Sequence, residues 1–92
     1  MIRSFGHKGL ARFFEHGSKA GIQPAHANRL RLILALLHGA KSPQDLAFPG
    51  SNLHPLRGGL AGHWAVSVNG PWRVTFRFED GNAHEVDYVQ YH

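Results

Sequence analysis

The sequence predicts an α+β fold, with two N-terminal helices packed on one face of a small antiparallel sheet. Three observations carry that expectation. The first half repeats apolar residues at helical spacing, the last third alternates apolar with polar residues, and glycine and proline punctuate the stretch between them. The chain has 92 residues and no internal repeat, linker or low-complexity stretch, so residues 1–92 read as one domain. A domain of this size buries roughly 60% of the surface its unfolded chain exposes.

Ile2 to Phe5 is short and apolar at both ends, which suits an edge strand. His7 to His16 reads as a helix, with Leu10, Phe13 and Phe14 on one side and Gly17 at the position of a left-handed cap. Gly21 to Gln23 is a turn, and Pro24 opens a second helix that runs to about Leu37 and closes at Gly39. Ala27, Leu30, Ile33, Leu34 and Leu37 make its core stripe. Leu32 and Leu36 add a second stripe, which predicts burial on more than one side. Ser42 to Asp45 reads as a cap and one helical turn, and Phe48 to Gly62 as a loop.

The strands follow from alternation. Trp64, Val66 and Val68 face one way, as do Trp72, Val74, Phe76 and Phe78. A three-residue loop at Asn69 to Pro71 pairs Val66 with Val74, Trp64 with Phe76 and Val68 with Trp72. A second, at Asp80 to Asn82, pairs Phe76 with Val86, Val74 with Tyr88 and Arg77 with Glu85. The packed face is then Trp64, Val66, Val74, Phe76, Val86 and Tyr88.

Composition narrows the function. There is no cysteine, so there is neither a disulfide framework nor a thiolate metal site. The N-terminus lacks the apolar core of a secretion signal, and the longest apolar run, Leu32 to Leu37, is six residues, so a cytoplasmic protein without a membrane span is expected. Ten Lys and Arg against six Asp and Glu give a net charge of +4, and eight histidines add to it below about pH 6.5. That balance suits a polyanionic partner such as nucleic acid.

The polar face of the sheet is the first candidate site. Arg73 is mid-sheet, in register with Ser67 and Val89 and near Tyr91, with no acid opposite it. An unpaired guanidinium beside a tyrosine suits a phosphate. The loop Leu53 to Trp64 places His54, Arg57 and His63 among glycines without an acid. The chain ends Gln90-Tyr91-His92, where a tyrosine can stack a base and a histidine can move a proton. Alternation would point Gln90 and His92 to one side and Tyr91 to the other. No metal-ligand spacing, phosphate-binding glycine pattern or nucleophile elbow is present, so no cofactor is expected.

Met1-Ile2-Arg3-Ser4-Phe5 with His7-Lys8-Gly9-Leu10, Leu53-His54-Pro55-Leu56-Arg57-Gly58, Gly62-His63-Trp64, Asn69 to Phe76 and the closing Tyr91-His92 resemble the HigB toxins of the RelE superfamily over the whole chain. The resemblance implies a RelE-like fold and a ribosome-dependent endoribonuclease that cuts mRNA in the decoding site of the small subunit, inhibits translation and is held inactive by a cognate, HigA-like antitoxin. It also implies functional roles for His54, Arg57, Arg73, Tyr91 and His92. Relatives commonly carry aspartate at position 90, whereas Gln90 cannot serve as a general base.

With no metal site in the sequence, the expected nucleophile is the RNA 2′-hydroxyl. His54 and His92 then share the acid and base roles, Arg73 stabilises developing charge, Arg57 holds the flanking phosphate and Tyr91 orients a base. His63 and Gln90 are further RNA-binding candidates. Lys8, Arg12, Arg29 and Arg31 are candidates for ribosomal RNA. Two other readings stay open on the residues alone. One is a non-catalytic nucleic-acid-binding or repressor module, and the other is an interaction domain docking through Leu32 and Leu36.

Overall fold

The computed structural model describes residues 1–60 and 62–91. The order is α1 (Lys8–His16), a 3-10 turn (Pro24–His26), α2 (Ala27–Gly39), a 3-10 turn (Pro43–Leu46), then β1 (His54–Pro55), a 3-10 turn (Gly58–Leu60), β2 (His63–Asn69), β3 (Trp72–Glu79) and β4 (Asn82–Gln90). The strands form an antiparallel sheet in the order β1-β2-β3-β4.

α1 starts one residue later than expected because His7 is its cap: the imidazole Nδ1 accepts a hydrogen bond from the Leu10 N–H at 2.9 Å. Gly17 ends it in the left-handed conformation, with φ 74° and its N–H donating to the Phe13 carbonyl. Pro24 opens a tight turn rather than the α-helix itself, which begins at Ala27. Gly9 of α1 lies against Gly21, where a Cβ on either glycine would come within 2.7 Å of the other's backbone. That contact lets the loop before α2 press directly onto α1.

The buried sides of α1 and α2 and the residues Val66, Val74, Phe76, Val86 and Tyr88 form one hydrophobic cluster. The helices therefore share their core with one face of the sheet. Trp64, expected in that core, is only half-buried at its rim. The second apolar stripe of α2 is not covered: Leu32 and Leu36 are 45% and 36% exposed.

The predicted pairs Trp64–Phe76, Val66–Val74 and Val74–Tyr88 are present. Both turns are tighter by one residue than expected. Asn69 pairs with Trp72 across Gly70-Pro71, and a bulge beyond Ser67 replaces the Val68–Trp72 pair. Glu79 pairs with Asn82 across Asp80-Gly81, whose φ values of 53° and 76° suit a two-residue hairpin turn. The shift places His84, not Glu85, opposite Arg77 and is absorbed by a bulge beside Phe76, which is why Val86 is not its register partner. Glu85 takes φ 54° in that bulge.

The N-terminus covers the outer edge of β4. Ile2 and Phe5 form parallel bridges to Ala83 and Val86, with backbone hydrogen bonds of 2.8 to 3.1 Å on either side of the bulge. The opposite edge is β1, which lies inside the segment expected to be all loop. Its two residues pair with Ala65 and Trp64, and Pro55 is tolerated because an edge strand can do without one donor.

Candidate active site

The sheet's outer face aligns the candidate residues by register. One row runs His54, Ala65, Thr75 and Asp87 across all four strands, and the next runs Ser67, Arg73 and Val89. Residues directly paired across strands share a face. His54 and Arg73 therefore belong to the same face, with the small Ala65 between His54 and the centre of the sheet.

His54 is exposed, and its Nδ1 lies 2.8 Å from the Asn52 carbonyl. A carbonyl only accepts, so Nδ1 carries the proton and the neutral ring presents a bare Nε2. Asn52 holds that carbonyl from a left-handed conformation, φ 48°, and its side chain donates to Ser67 Oγ at 3.2 Å.

Arg73 forms no ion pair among the described residues. Its Nη1 donates to the carbonyls of Gly70 and Trp72 at 2.5 and 2.9 Å, which braces the guanidinium against the hairpin. The guanidinium carbon lies 6.0 Å from the centre of the Tyr91 ring. Tyr91 is 39% exposed, and its N–H donates to the Pro71 carbonyl at 2.8 Å, tying the end of the chain to the same hairpin.

Beside this pair is a concavity of about 500 Å³ lined by, among others, His63, Thr75, Glu85, Asp87, Gln90 and Tyr91. Gln90 and Tyr91 line it together although strand alternation would separate them, because β4 ends at Gln90. At its wall one carboxylate oxygen is shared: Glu85 Oε2 is 3.2 Å from His63 Nε2 and 3.4 Å from Arg77 Nε. Arg77 also pairs with Glu79. The bulge thus restores the expected Arg77–Glu85 contact in spite of the shifted register. Hydrogen bonding by Arg77 and then His63 holds the Glu85 carboxyl below its ordinary value, and the bonds to Glu79 and Glu85 raise the Arg77 guanidinium. His63 Nδ1 is buried with no hydrogen-bond partner among the described residues.

Arg57 is exposed in the segment after β1, and Lys8 and Arg12 are exposed on α1; none of the three lines the concavity. His92 lies outside the described residues. Arg29 is otherwise engaged: it donates to the carbonyls of Gly50 and Ser67 at 2.9 and 3.4 Å and covers the Phe48 ring, so it clamps the loop onto β2. Arg31 donates to Asn28 Oδ1 at 2.9 Å. The acids Glu85 and Asp87 are among the pocket residues that were not site candidates from the sequence. Their signal was their place on the polar face of β4. Among the described residues no group of three or more His, Cys, Asp or Glu is gathered for a metal.

Residues 3–92 match the family described as the RelE-like toxin of the type II toxin–antitoxin system HigB. The chain is 37% identical over 92 residues to Endoribonuclease HigB of Proteus vulgaris, covering 100% of both chains. It is 32% identical over 85 residues to Toxin HigB-1 of Vibrio cholerae serotype O1, covering 90% of each. A crystal structure of a YafQ mutant from E. coli shares its fold, with a TM-score of 0.64 at 18% identity, over 98% of this chain and 91% of that one. By the family match along nearly its whole length and by its identity to two HigB toxins, the chain belongs to the HigB-like family of RelE-like toxins of type II toxin–antitoxin systems.

Proposed function

We propose that this chain is the toxin of its pair and a ribosome-dependent endoribonuclease that cuts mRNA in the decoding site, acts in the cytoplasm and is neutralised by a cognate, HigA-like antitoxin. The observation that carries the reading is the braced Arg73 beside Tyr91, next to a concavity on the outer face of the sheet. The full-length identity to a protein named as an endoribonuclease supports the same reaction class.

The chemistry needs no group beyond the RNA and these side chains. The 2′-hydroxyl attacks the adjacent phosphorus, the bond to the 5′-oxygen breaks, and the products are a 2′,3′-cyclic phosphate and a 5′-hydroxyl. His54 takes the 2′-hydroxyl proton at Nε2, the nitrogen its hydrogen bond to Asn52 leaves bare. His92 gives a proton to the departing oxygen. Arg73 meets the charge that develops on the phosphorane from a position it already occupies. Arg57 holds a flanking phosphate and Tyr91 stacks a base. Lys8 and Arg12 carry positive charge on the helical side, where they face ribosomal RNA.

The test is induction of the chain alone in a bacterium, and then with the protein encoded beside it. The expected result is growth arrest with mRNA cut within codons on ribosomes, relieved by the partner. Growth arrest without cleavage, or purified protein that binds RNA without cutting it on programmed ribosomes, would favour a binding or repressor module instead.

A further inference from the structure

We propose that the concavity on the outer face is a nucleobase-reading subsite in which Glu85, pinned by His63 and Arg77, offers its second carboxylate oxygen to the amino group of one base of the substrate RNA. The inference rests on the endoribonuclease reading and adds a sequence preference to it.

The pocket's charge is the first argument. The chain carries ten Lys and Arg against six Asp and Glu, yet two of those acids, Glu85 and Asp87, line this one concavity. Carboxylates repel a phosphate, so this wall does not serve the backbone. Acceptor-only oxygens suit a neutral group that donates, and the bases of single-stranded RNA present such groups on their edges. Tyr91, on the same concavity, provides the face on which a splayed base stacks.

The pinning is the second argument. Glu85 Oε2 is held from two other strands, by His63 of β2 and Arg77 of β3. Oε1 accepts no hydrogen bond among the described residues, and the side chain is 58% exposed. A carboxylate fixed through one oxygen presents the other in a set direction, so little freedom is lost when a base donor meets it. The backbone is also committed to this placement. Ala83 and Val86 are both buried, three residues apart, so the bulge sets His84 and Glu85 in succession between two inward side chains. Glu85 adopts φ 54° to do so, a left-handed conformation that is strained for a residue with a Cβ and that clusters at functional sites.

An acceptor at this point favours adenine, cytosine or guanine, which carry exocyclic amino groups, over uracil, whose one ring N–H is flanked by two carbonyls. Glu85→Gln reverses the logic. His63 and Arg77 both donate, so they keep the amide oxygen, and the amide nitrogen is left to donate to the base.

The experiment maps cut sites of the purified full chain on ribosomes programmed with mRNAs randomised at the codon in the decoding site. Wild type should favour amino-bearing bases over uracil at one nucleotide by roughly tenfold or more. Glu85→Gln should shift that ratio at the same nucleotide towards uracil by a similar factor, with its melting temperature checked. Arg77→Gln, which removes the guanidinium's hold and leaves the carboxylate on His63 alone, should bring the ratio towards one without reversing it. Wild-type cleavage with the same base profile in Glu85→Gln would overturn the inference and leave the endoribonuclease reading standing. An unchanged profile in Arg77→Gln would overturn the pinning. No cleavage by wild type on any codon would overturn the reading and the inference with it.

Discussion

Tyr88 joins the two layers through a single hydroxyl. Its ring stacks on Trp72 at 4.6 Å, while its oxygen lies 2.6 Å from Nδ1 of the buried His26 and receives the Gln23 N–H at 3.4 Å. Both contacts are satisfied when the phenol donates to His26 and accepts from Gln23. Tyr88→Phe leaves the His26 nitrogen unpaired, and chemical denaturation should register a loss of about 1–3 kcal/mol. Burial raises the Tyr88 phenol above its ordinary value of 10.0. The folded state therefore holds this proton more tightly than the unfolded chain. The corresponding stability is present below pH 10 and is lost as pH rises from the unfolded value towards the folded one. Tyr88→Phe should remove that part of the alkaline slope. At the chain end, Gln90 lines the concavity but cannot take a proton. Under the proposed mechanism, deletion of His92 should slow cleavage by roughly 100-fold or more, as loss of a general acid does, and Gln90→Ala should cost far less. A Gln90→Asp variant that gained a hundredfold while the His92 deletion kept its rate would assign the base to position 90 instead.

Elements were legible where periodicity alone decides them. Leu10, Phe13, Leu30, Ile33, Leu34 and Leu37 are all buried at the helical spacing that predicted them, and the central pairs of the sheet match the alternation. The turns were harder to read because two rules competed. Facing Phe76 to Val86 asks for a three-residue loop, whereas Asp80-Gly81 is a two-residue hairpin turn by its own chemistry. The fold satisfies the turn at one end and the packing at the other, and the bulge at Glu85 takes up the difference. Alternation cannot foresee such an extra residue; it put Glu85 on the polar face beside Arg77, where the pair read as a solvated strand face rather than as the wall of a concavity. The two-residue β1 was hidden for another reason: a strand that short has no period to detect. The Gly9–Gly21 contact was equally invisible, since its cause is the approach of two backbones. It yields a sharp expectation. Gly21→Ala places a Cβ 2.5 Å from Gly9 Cα, and backbone on both sides leaves little room to yield, so a loss of about 1–3 kcal/mol or more should appear in thermal unfolding. Gly39→Ala, where nothing lies within 4 Å, should have little effect by the same measurement.

At the scale of the whole molecule, the sheet divides the protein's work. One face shares its core with the helices, and the other carries His54 and Arg73 on strands, with Tyr91 just past the end of β4 and the concavity beside them. Sequence reasoning located Arg73 and Tyr91 on that outer face from the register alone. It listed Arg29 as a candidate for ribosomal RNA because a charge on a helix looks solvated until the loop it clamps is seen. The net charge of +4 belongs to this larger scale too, since it draws the chain towards polyanions without specifying which atoms react. The proposed mechanism puts the chemistry on the outer face, and Arg73 is its most direct test. The measurement is single-turnover cleavage of end-labelled mRNA on programmed ribosomes by wild type, Arg73→Ala and Arg73→Lys, with melting temperatures taken in parallel. Wild type should leave a 2′,3′-cyclic phosphate, and Arg73→Ala should be slower by roughly 100-fold or more, as removal of a donor to the transition state is. Arg73→Lys should fall between them, because it keeps the charge and loses the planar fork. A folded Arg73→Ala protein cutting at the wild-type rate, or a product ending in a 3′-hydroxyl, would contradict the account.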